Sequence, residues 1–432
     1  MSSTFTRRQI LIGGLSGAAV IGLTAACGSD SGGSGGSADP SEVGTLQFFL
    51  SGDANQGGGF AAMAAKYEKE TGFKVEIVDI ANDDLGTRLT NAAQADDLPA
   101  LARVGSVDPV WKNATKDLAE IMTAAGVMAD LSTQDEDGRV FSLPTDVTGV
   151  GLFINKSLFD EAGVEFPANL DGDVWSWDDF VSAVKEVQEA TGASYGMAMD
   201  ASSHRLKSFL YEFGSTLWQP DGSGTYTTND ATKTALEYFY EINDDSFMPR
   251  SVWLSEADGN ALFKSGDVVA YYSGSWQIAD FAVNIADFEW ASVPTPRQPV
   301  QAVNFGNAAS IVVFDGTGQE QAALDFVNWL YTKENYTELA TTSGFLPAVN
   351  GITVEYADNA EAFDLYNAEI AASDPIVTTI KQMELGFEVA GLTTEGDPLR
   401  DQVVRYLNDE IGVDECITTI GEQMTEAFGS AS

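Results

Sequence analysis

Residues 143–163 read LPTDVTGVGLFINKSLFDEAG, and this stretch carries the strongest fold signal in the chain. It lies in the body of the chain, residues 45–432, where strand-like and helix-like segments alternate throughout. That alternation predicts an α/β protein.

The N-terminal side of the body begins with a predicted βαβ unit. Residues 46–50 form a first buried strand, and residues 74–80 form a second strand with Val75 and Ile77 on one face. A Gly-rich turn and an amphipathic helix lie between the strands. The predicted apolar face of that helix consists of Phe60, Met63, Ala64 and Tyr67.

Two further helices are predicted along the body. Ser176 and Asp179 form a helix-start pair, and Gly192 closes that helix. Apolar side chains at helical spacing predict another helix through residues 323–331. The body from residue 45 to residue 432 is larger than one hydrophobic core usually serves, so the sequence predicts two lobes.

The N-terminus has the features of an export signal. Arg7 and Arg8 supply positive charge, and the apolar stretch from Ile10 to Leu23 is too short for a comfortable transmembrane helix. We therefore expect residues 1–26 to be a signal peptide. The arginine pair also resembles a twin-arginine motif, and both the general secretory route and the twin-arginine route stay open.

A cysteine and a linker follow the apolar stretch. Residues 23–27, LTAAC, resemble a bacterial lipobox, so we expect Cys27 to be lipidated; a plain secreted protein with an idle cysteine is the alternative. The linker, residues 27–44 with its cysteine, is almost entirely Gly, Ser, Ala and Asp, which predicts a flexible tether. We therefore expect a protein anchored by lipid at the extracellular face of the cytoplasmic membrane.

The chain is strongly acidic, with 65 Asp and Glu against 22 Lys and Arg and a formal net charge of −43. Nucleic acid is not an expected partner, because its phosphate backbone would be repelled. An anionic ligand would meet an unfavourable long-range field unless a local basic pocket opposed it. Cys416 is predicted to be a small buried side chain, and His204 is the only histidine. A histidine-rich metal site is therefore excluded, and we expect no cofactor.

Several motifs, taken in order along residues 45–428, resemble the family-1 extracellular solute-binding proteins, which are maltose-binding-protein-like receptors of ABC importers. The most specific motif is the 143–163 stretch, although Ile154 replaces an aromatic residue that is usual in the family. The other motifs are WDDF at 177–180, FKSGDVVA at 263–270 followed by GSW at 274–276, VPTP at 293–296, NFG at 304–306 and GFLPA at 344–348.

The resemblance implies a two-lobed α/β fold of the periplasmic-binding-protein type, with hinge crossovers and a ligand cleft between the lobes. The crossings are expected at residues 146–149, 294–301 and 346–350. The implied lobes are residues 45–147 plus 300–347 at the N-terminal side, and residues 149–298 plus 350–428 at the C-terminal side.

A sugar presents apolar C–H faces and hydroxyl edges, so its site needs aromatic rings together with carboxylates and amides. Trp276 is the leading candidate, because a flexible glycine-serine pair precedes it and the resemblance implies a stacking aromatic residue there. Asp53, with Asn55 and Gln56 beside it, follows the first strand at its C-terminal end, where open sheets bind ligands.

Further candidates lie in loops and crossings. Asp108 and Trp111 follow a predicted strand, where the resemblance implies a carboxylate and a stacking ring, although Asp108 could equally cap the next helix. The remaining candidates are Asp146, Thr148, His204, Arg205, Trp218, Trp253, Phe305, Asn307, Glu395 and Asp397. Most aromatic residues of the chain must nevertheless lie in the cores.

Together these features predict a monomeric receptor that binds a carbohydrate, expected to be an oligosaccharide, and delivers it to ABC transporter permease subunits by hinge closure, without turnover. One alternative is the same fold with another solute, such as a polyamine or a polyol phosphate. A phosphate would call for a basic cluster, and Lys and Arg show no run of that kind. The other alternative is a secreted glycoside hydrolase, because 65 carboxylates always allow a suitably spaced pair to be imagined.

Overall fold

The computed structural model describes residues 40–51, 58–255, 257–307 and 309–429. The predicted signal peptide, Cys27 and the candidates Asp53, Asn55 and Gln56 lie outside these residues. None of the helices in the described part of the chain has the length and apolar character that a membrane span requires.

Six strands form a first sheet: β1 (Leu46–Ser51), β2 (Val75–Ile80), β3 (Leu101–Val104), β4 (Thr133–Gln134), β5 (Val140–Pro144) and β13 (Ser310–Val313). Their order in the sheet is β2-β1-β3-β13-β5-β4. β1 is parallel to β2 and β3, which confirms the predicted βαβ opening, whereas β13 is antiparallel to both of its neighbours. A segment that is remote in sequence therefore occupies the middle of this sheet.

The helices around the first sheet come from both ends of the body. They are α1 (Pro40–Val43), α2 (Gly59–Thr71), α3 (Asn82–Gln94), α4 (Pro109–Lys112), α5 (Ala119–Ala125), α13 (Glu320–Leu330) and α14 (Lys333–Ser343). The buried residues of α2 include all four that were predicted as its apolar face, so that prediction is confirmed. A 3-10 turn spans Ala129–Leu131.

The body begins earlier than the predicted linker allows. Residues 40–43, within the predicted tether, form α1, and Val43 packs against the core of the first lobe. The Gln319 side-chain amide donates hydrogen bonds to the carbonyls of Val43 and Thr45, at 2.8 and 3.2 Å. Val43 and these hydrogen bonds dock the segment on the first lobe, which composition alone could not reveal.

The second sheet contains β6 (Val147–Asn155), β7 (Tyr195–Ala198), β10 (Val268–Gly274) and β11 (Trp290–Val293), and β12 (Phe305–Asn307) pairs with the start of β6. The main order is β11-β6-β10-β7. All nine residues of β6 are buried, which explains its continuous apolar sequence. A separate hairpin consists of β8 (Gln219–Pro220) and β9 (Tyr226–Thr227).

The helices around the second sheet are α6 (Lys156–Ala162), α7 (Trp177–Thr191), α8 (Ser203–Glu212), α9 (Asp230–Ile242), α10 (Ser251–Leu254), α11 (Gly259–Lys264), α12 (Gln277–Asn284), α15 (Ala360–Ala372), α16 (Pro375–Ala390), α17 (Pro398–Leu407) and α18 (Val413–Phe428). The capping box that Ser176 and Asp179 predicted for α7 is present, and the helix ends at Gly192. Cys416 is buried in α18, as predicted.

Two chain crossings between the sheets run side by side. The amide of Val147 donates to the carbonyl of Leu346 at 2.9 Å. The buried hydroxyl of Tyr336 donates to the carbonyl of Thr145 and accepts from the amide of Ala348, both at 2.7 Å. A single side chain thus ties the first crossing to the last one.

The third crossing lies later than the expected residues 294–301, because β12 still pairs with β6 and the chain enters the first sheet only at β13. A buried carboxylate holds the segment that follows β11. Glu369, on α15, accepts hydrogen bonds from the Thr295 amide at 2.7 Å and from the Thr295 hydroxyl at 2.9 Å. Burial raises the pKa of Glu369 to about 7, against its ordinary 4.5. Folding therefore favours the protonated form of this carboxyl.

A Glu369→Gln variant is expected to gain stability relative to the unchanged protein as the pH rises from about 4.5 to about 7. In this window the folded state keeps a proton that the unfolded chain loses, so the unchanged protein loses stability as the pH rises. The difference grows to about 3 kcal/mol above pH 7, and urea unfolding at about pH 4.5 and pH 8 measures it.

The control for this prediction is Glu189→Gln, because Glu189 is exposed near the end of α7. The free energy of unfolding of the Glu189→Gln variant is expected to equal that of the unchanged protein at both pH values. Parallel pH dependences for Glu369→Gln and the unchanged protein would contradict the assigned pKa. The neighbouring buried Glu212 is present in both proteins, but the Glu369 charge contributes to its raised pKa, so the difference reports on Glu369 together with its coupling to Glu212.

Candidate functional site

A cleft of about 710 Å³ lies between the two lobes. Small-molecule sites commonly have volumes of about 300–1,000 Å³, so the cleft has the size of a ligand site. Its walls include Arg103 and Phe345 from the first lobe, Asp146 from the first crossing, and Phe305 and Trp276 from the second lobe.

Trp276 forms part of one wall of the cleft. The Arg205 guanidinium carbon lies 5.2 Å from the indole centroid, and the His204 ring centroid lies 5.8 Å away. A Cβ added to Gly274 would lie 2.1 Å from the nearest atom of the Trp276 ring and 2.6 Å from the carbonyl oxygen of Gly149. Gly274 is therefore needed for close packing under the ring, rather than for the loop flexibility that the sequence predicted.

His204 is held in one protonation state by its neighbours. The Asn304 side-chain amide donates to His204 Nδ1 and to the His204 carbonyl, both at 2.9 Å, so the ring proton is assigned to Nε2. Burial lowers the pKa of His204 to about 3, and the charges of Lys207, Lys381 and Arg205 act in the same direction. The imidazole is therefore neutral at physiological pH and can donate one hydrogen bond from Nε2.

A buried ion pair lies where the first crossing enters the cleft. The Arg103 guanidinium contacts Asp146 Oδ1 at 2.6 Å, and the two side chains are 8% and 4% exposed. Arg103 Nε also donates to the Thr145 hydroxyl at 2.8 Å. This network gives the crossing a fixed carboxylate and a fixed guanidinium on the cleft surface.

Three more ion pairs surround the cleft, and sequence reasoning missed most of their members. They are Arg205–Asp200 at 3.1 Å, Lys264–Asp280 at 3.0 Å, and Lys207–Glu384. Helical spacing could have indicated Lys207, which lies three residues after His204 on α8. Lys381 and Glu384 are also three residues apart, on α16, but the sequence around them does not predict which face of that helix lines the cleft.

The structure brings six of the predicted site residues to the cleft: Asp146, Thr148, His204, Arg205, Trp276 and Phe305. Asn307 ends the neighbouring strand β12, and its side chain is not described. Contact of these residues with a ligand stays a prediction.

Asp108 and Trp111 have structural partners instead. Asp108 Oδ1 accepts a hydrogen bond from the Val110 amide at 2.7 Å and so caps α4, the alternative that the sequence left open. Trp111 is only 2% exposed and packs edge-on against Phe314 with ring centroids 5.5 Å apart. Its large apolar ring belongs to the first-lobe core, not to the cleft surface.

The other two tryptophan candidates lie in the second-lobe core. The indole NH of Trp253 donates to the Met199 carbonyl at 2.8 Å, and that of Trp218 donates to the Ile417 carbonyl at 3.1 Å. Both side chains are 3% exposed. Burial of these rings in apolar surroundings, with their NH groups satisfied, accounts for their position away from the cleft.

Glu395 and Asp397 also lie outside the cleft. Asp397 Oδ1 accepts from the Arg400 amide at 3.1 Å and from the Ser203 hydroxyl, and it caps α17. With Trp218 it lines a second cavity of about 360 Å³. Glu395 is exposed on the adjoining loop.

Helix α16 joins the second lobe to the first at one edge of the cleft. Glu388 accepts from the Val107 amide at 3.3 Å and from the Thr133 hydroxyl at 3.1 Å. The Gln382 side chain donates to the Asp130 carbonyl at 2.7 Å. The two lobes are therefore in direct hydrogen-bonded contact here.

Comparison with known proteins identifies the family. The family model described as bacterial extracellular solute-binding protein matches residues 62–364, which is more than half of the chain. The chain therefore belongs to the bacterial extracellular solute-binding proteins, and the resemblance that its motifs indicated is confirmed.

Individual relatives are distant. A lactose-binding protein of Rhizobium radiobacter is 28% identical over 62% of this chain and 66% of its own length. A maltooligosaccharide ABC transporter solute-binding lipoprotein of Streptococcus pneumoniae is 22% identical over 99% of this chain and 100% of its own length. The chain spans about half the length of the curated relatives it matches first, since alignments with three Brucella proteins cover 53% of each.

Solved structures confirm the predicted α/β, two-lobed fold. The GacH receptor of Streptomyces glaucescens, known unliganded and with acarbose, superposes with a TM-score of 0.69 at 21% identity. The match covers 88% of this chain and 96% of that receptor.

Proposed function

We propose that this protein is an extracellular receptor that binds an oligosaccharide in the cleft between its lobes and delivers it to an ABC importer. The observation that carries the proposal is the half-buried Trp276 ring on the cleft wall, beside the neutral His204 and the charged Arg205. An indole face suits the apolar side of a sugar ring, and the adjacent donors suit its hydroxyl groups.

Other features support a sugar ligand. Phe305 and Phe345 line the same cleft, so a chain of several sugar rings would meet more than one aromatic side chain. Relatives from Rhizobium radiobacter and Streptococcus pneumoniae are named for lactose and maltooligosaccharide binding. In our proposal the ligand bridges the lobes about hinges near residues 146–149, between β12 and β13, and near residues 346–350, and it stabilises the closed form.

Calorimetry with a panel of oligosaccharides tests the proposal. We expect at least one member to bind with a Kd near the micromolar range, about −8 kcal/mol, and to raise the melting temperature. Small-angle scattering is expected to show a more compact particle with that ligand. Absence of heat, thermal shift and compaction across neutral and acidic glycans would refute the proposal.

The membrane location and the absence of turnover belong to the same proposal. We infer that Cys27 carries the lipid anchor, that permease subunits are the membrane partner, and that the receptor releases its sugar unchanged. Metabolic labelling with a fatty acid should be lost in a Cys27→Ser variant. Chromatography after prolonged incubation with labelled oligosaccharides should recover only intact sugar, and shortened products would contradict a pure receptor.

A further inference from the structure

The cleft collects positive charge in a strongly acidic protein. The cationic side chains that line it are Arg103, Arg205, Lys207, Lys264 and Lys381, and the acidic ones are Asp146, Asp280 and Glu384. The whole chain, in contrast, has a formal charge of −43. The sequence showed no basic run because these cations are far apart along the chain, and the fold assembles them at one surface.

Lys381 differs from the other cations of the cleft. Arg103, Arg205, Lys207 and Lys264 each contact a carboxylate. Within the described ranges, Lys381 forms neither a hydrogen bond nor an ion pair. In the part of the chain that the structure describes, no carboxylate is in contact with its ammonium group.

The Lys381 ammonium group lies against strand β12. Nζ is 3.3 Å from the position that a Cβ on Gly306 would occupy, and the side chain is half-buried. A partly desolvated ammonium group without a partner is unfavourable, so an anion arriving beside it would be stabilised. Gly306 leaves room for the lysine stem to lie along this wall of the cleft.

Two carboxyl groups, those of Glu384 and Glu388, attract the Lys381 charge from a distance, but neither contacts the ammonium group among the described residues. Glu384 is paired with Lys207, and Glu388 accepts its hydrogen bonds from Val107 and Thr133 on the other lobe. His204 is neutral and carries no negative charge. The counter-ion of Lys381 is thus open to a ligand.

We propose that the oligosaccharide of this receptor carries a carboxylate, as a hexuronate residue does, and that this carboxylate pairs with Lys381. The inference rests on the proposed function and adds the chemical class of the sugar. A single unpaired lysine matches the single negative charge of a carboxylate. A phosphate monoester carries up to two negative charges and is usually bound by arginine side chains that donate two parallel hydrogen bonds. A sulfate ester also carries one charge, and the test distinguishes it.

The experiment is calorimetry with acidic oligosaccharides, in which the affinity for each is compared with the affinity for an uncharged sugar of similar size. The probes are trigalacturonate and trimannuronate, their methyl esters, maltotriose as a neutral sugar, and a sulfated galactan oligosaccharide. We expect one uronide to bind, and its methyl ester to bind roughly ten- to hundredfold more weakly. Lys381→Met should weaken binding of that uronide by a similar factor while leaving the affinity for the ester unchanged.

Two controls separate charge at Lys381 from other effects. Lys333→Met removes one positive charge from an exposed position on α14, and it should leave uronide binding unchanged. Without ligand, the melting temperature of the Lys381→Met variant should be no lower than that of the unchanged protein, because Lys381 contributes no ion pair among the described residues. Loss of uronide binding in both variants would overturn a specific role for Lys381.

The possible outcomes distinguish this inference from the proposed function. If maltotriose or the methyl esters bind as tightly as the uronides, the acidic class is refuted and the sugar receptor stands. If the sulfated probe binds and the uronides do not, the carboxylate assignment is refuted. If no sugar of any kind binds, the proposed function fails and this inference fails with it.

Discussion

Replacing Trp276 with alanine is expected to weaken oligosaccharide binding roughly 30- to 150-fold, which corresponds to about 2–3 kcal/mol. The reason is that the indole supplies a large apolar platform on the cleft wall, and its ring is held in place by the Gly274 backbone below and by Arg205 beside it. Calorimetry with the tightest-binding member of the glycan panel measures the effect. Trp276→Phe, which keeps an aromatic face, should lose less affinity than Trp276→Ala.

A matched control for this variant is Trp329→Ala. Trp329 is also half-buried, but it lies on α13 and donates from its indole NH to Glu70 at 2.9 Å, away from the cleft. Its removal is expected to lower stability without changing the Kd for the sugar. Equal affinities of Trp276→Ala and the unchanged protein would show that the indole is not the binding platform.

Asp146→Ala is expected to lower the free energy of unfolding by about 3–5 kcal/mol. This substitution leaves the Arg103 guanidinium buried without its carboxylate, and the pair has an N–O distance of 2.6 Å with both side chains nearly inaccessible to water. The cost of an uncompensated buried charge dominates over the loss of the attraction itself. Urea unfolding monitored by tryptophan fluorescence measures the change.

An exposed ion pair provides the control. Lys116 and Asp315 contact each other at 3.3 Å with side chains 34% and 57% exposed, so Asp315→Ala should cost less than about 1 kcal/mol. The double variant Arg103→Met/Asp146→Ala should recover part of the stability lost in Asp146→Ala, because no charge is left unpaired. A cost for Asp146→Ala no larger than that for Asp315→Ala would contradict the buried pair.

The sequence predicted the local elements well because their signals are local. The capping box at Ser176 and the apolar face of α2 each depend on residues within a few positions of one another. The pairing of β13 between β3 and β5 has no such signal, since its partners are remote in sequence. Only the family resemblance implied that residues after 300 return to the first lobe.

The same distinction applies to the cleft. Trp276 and Asp146 were found because they belong to motifs with a family counterpart. Lys381 and Arg103 were missed, since a helix face or strand end reveals its direction only after the tertiary packing is known. Trp218 and Trp253 were predicted from their nearness to loops, yet apolar burial determined their positions.

The central position of β13 has a consequence for how the polypeptide acquires its native shape. Thr145 donates to the Ala309 carbonyl across 164 residues of sequence, so the first lobe cannot be completed until most of the chain has been synthesised. A product truncated before residue 310 would leave the edges of β3 and β5 open to aggregation. Such late pairing of distant segments makes completion of this sheet a slow step of folding.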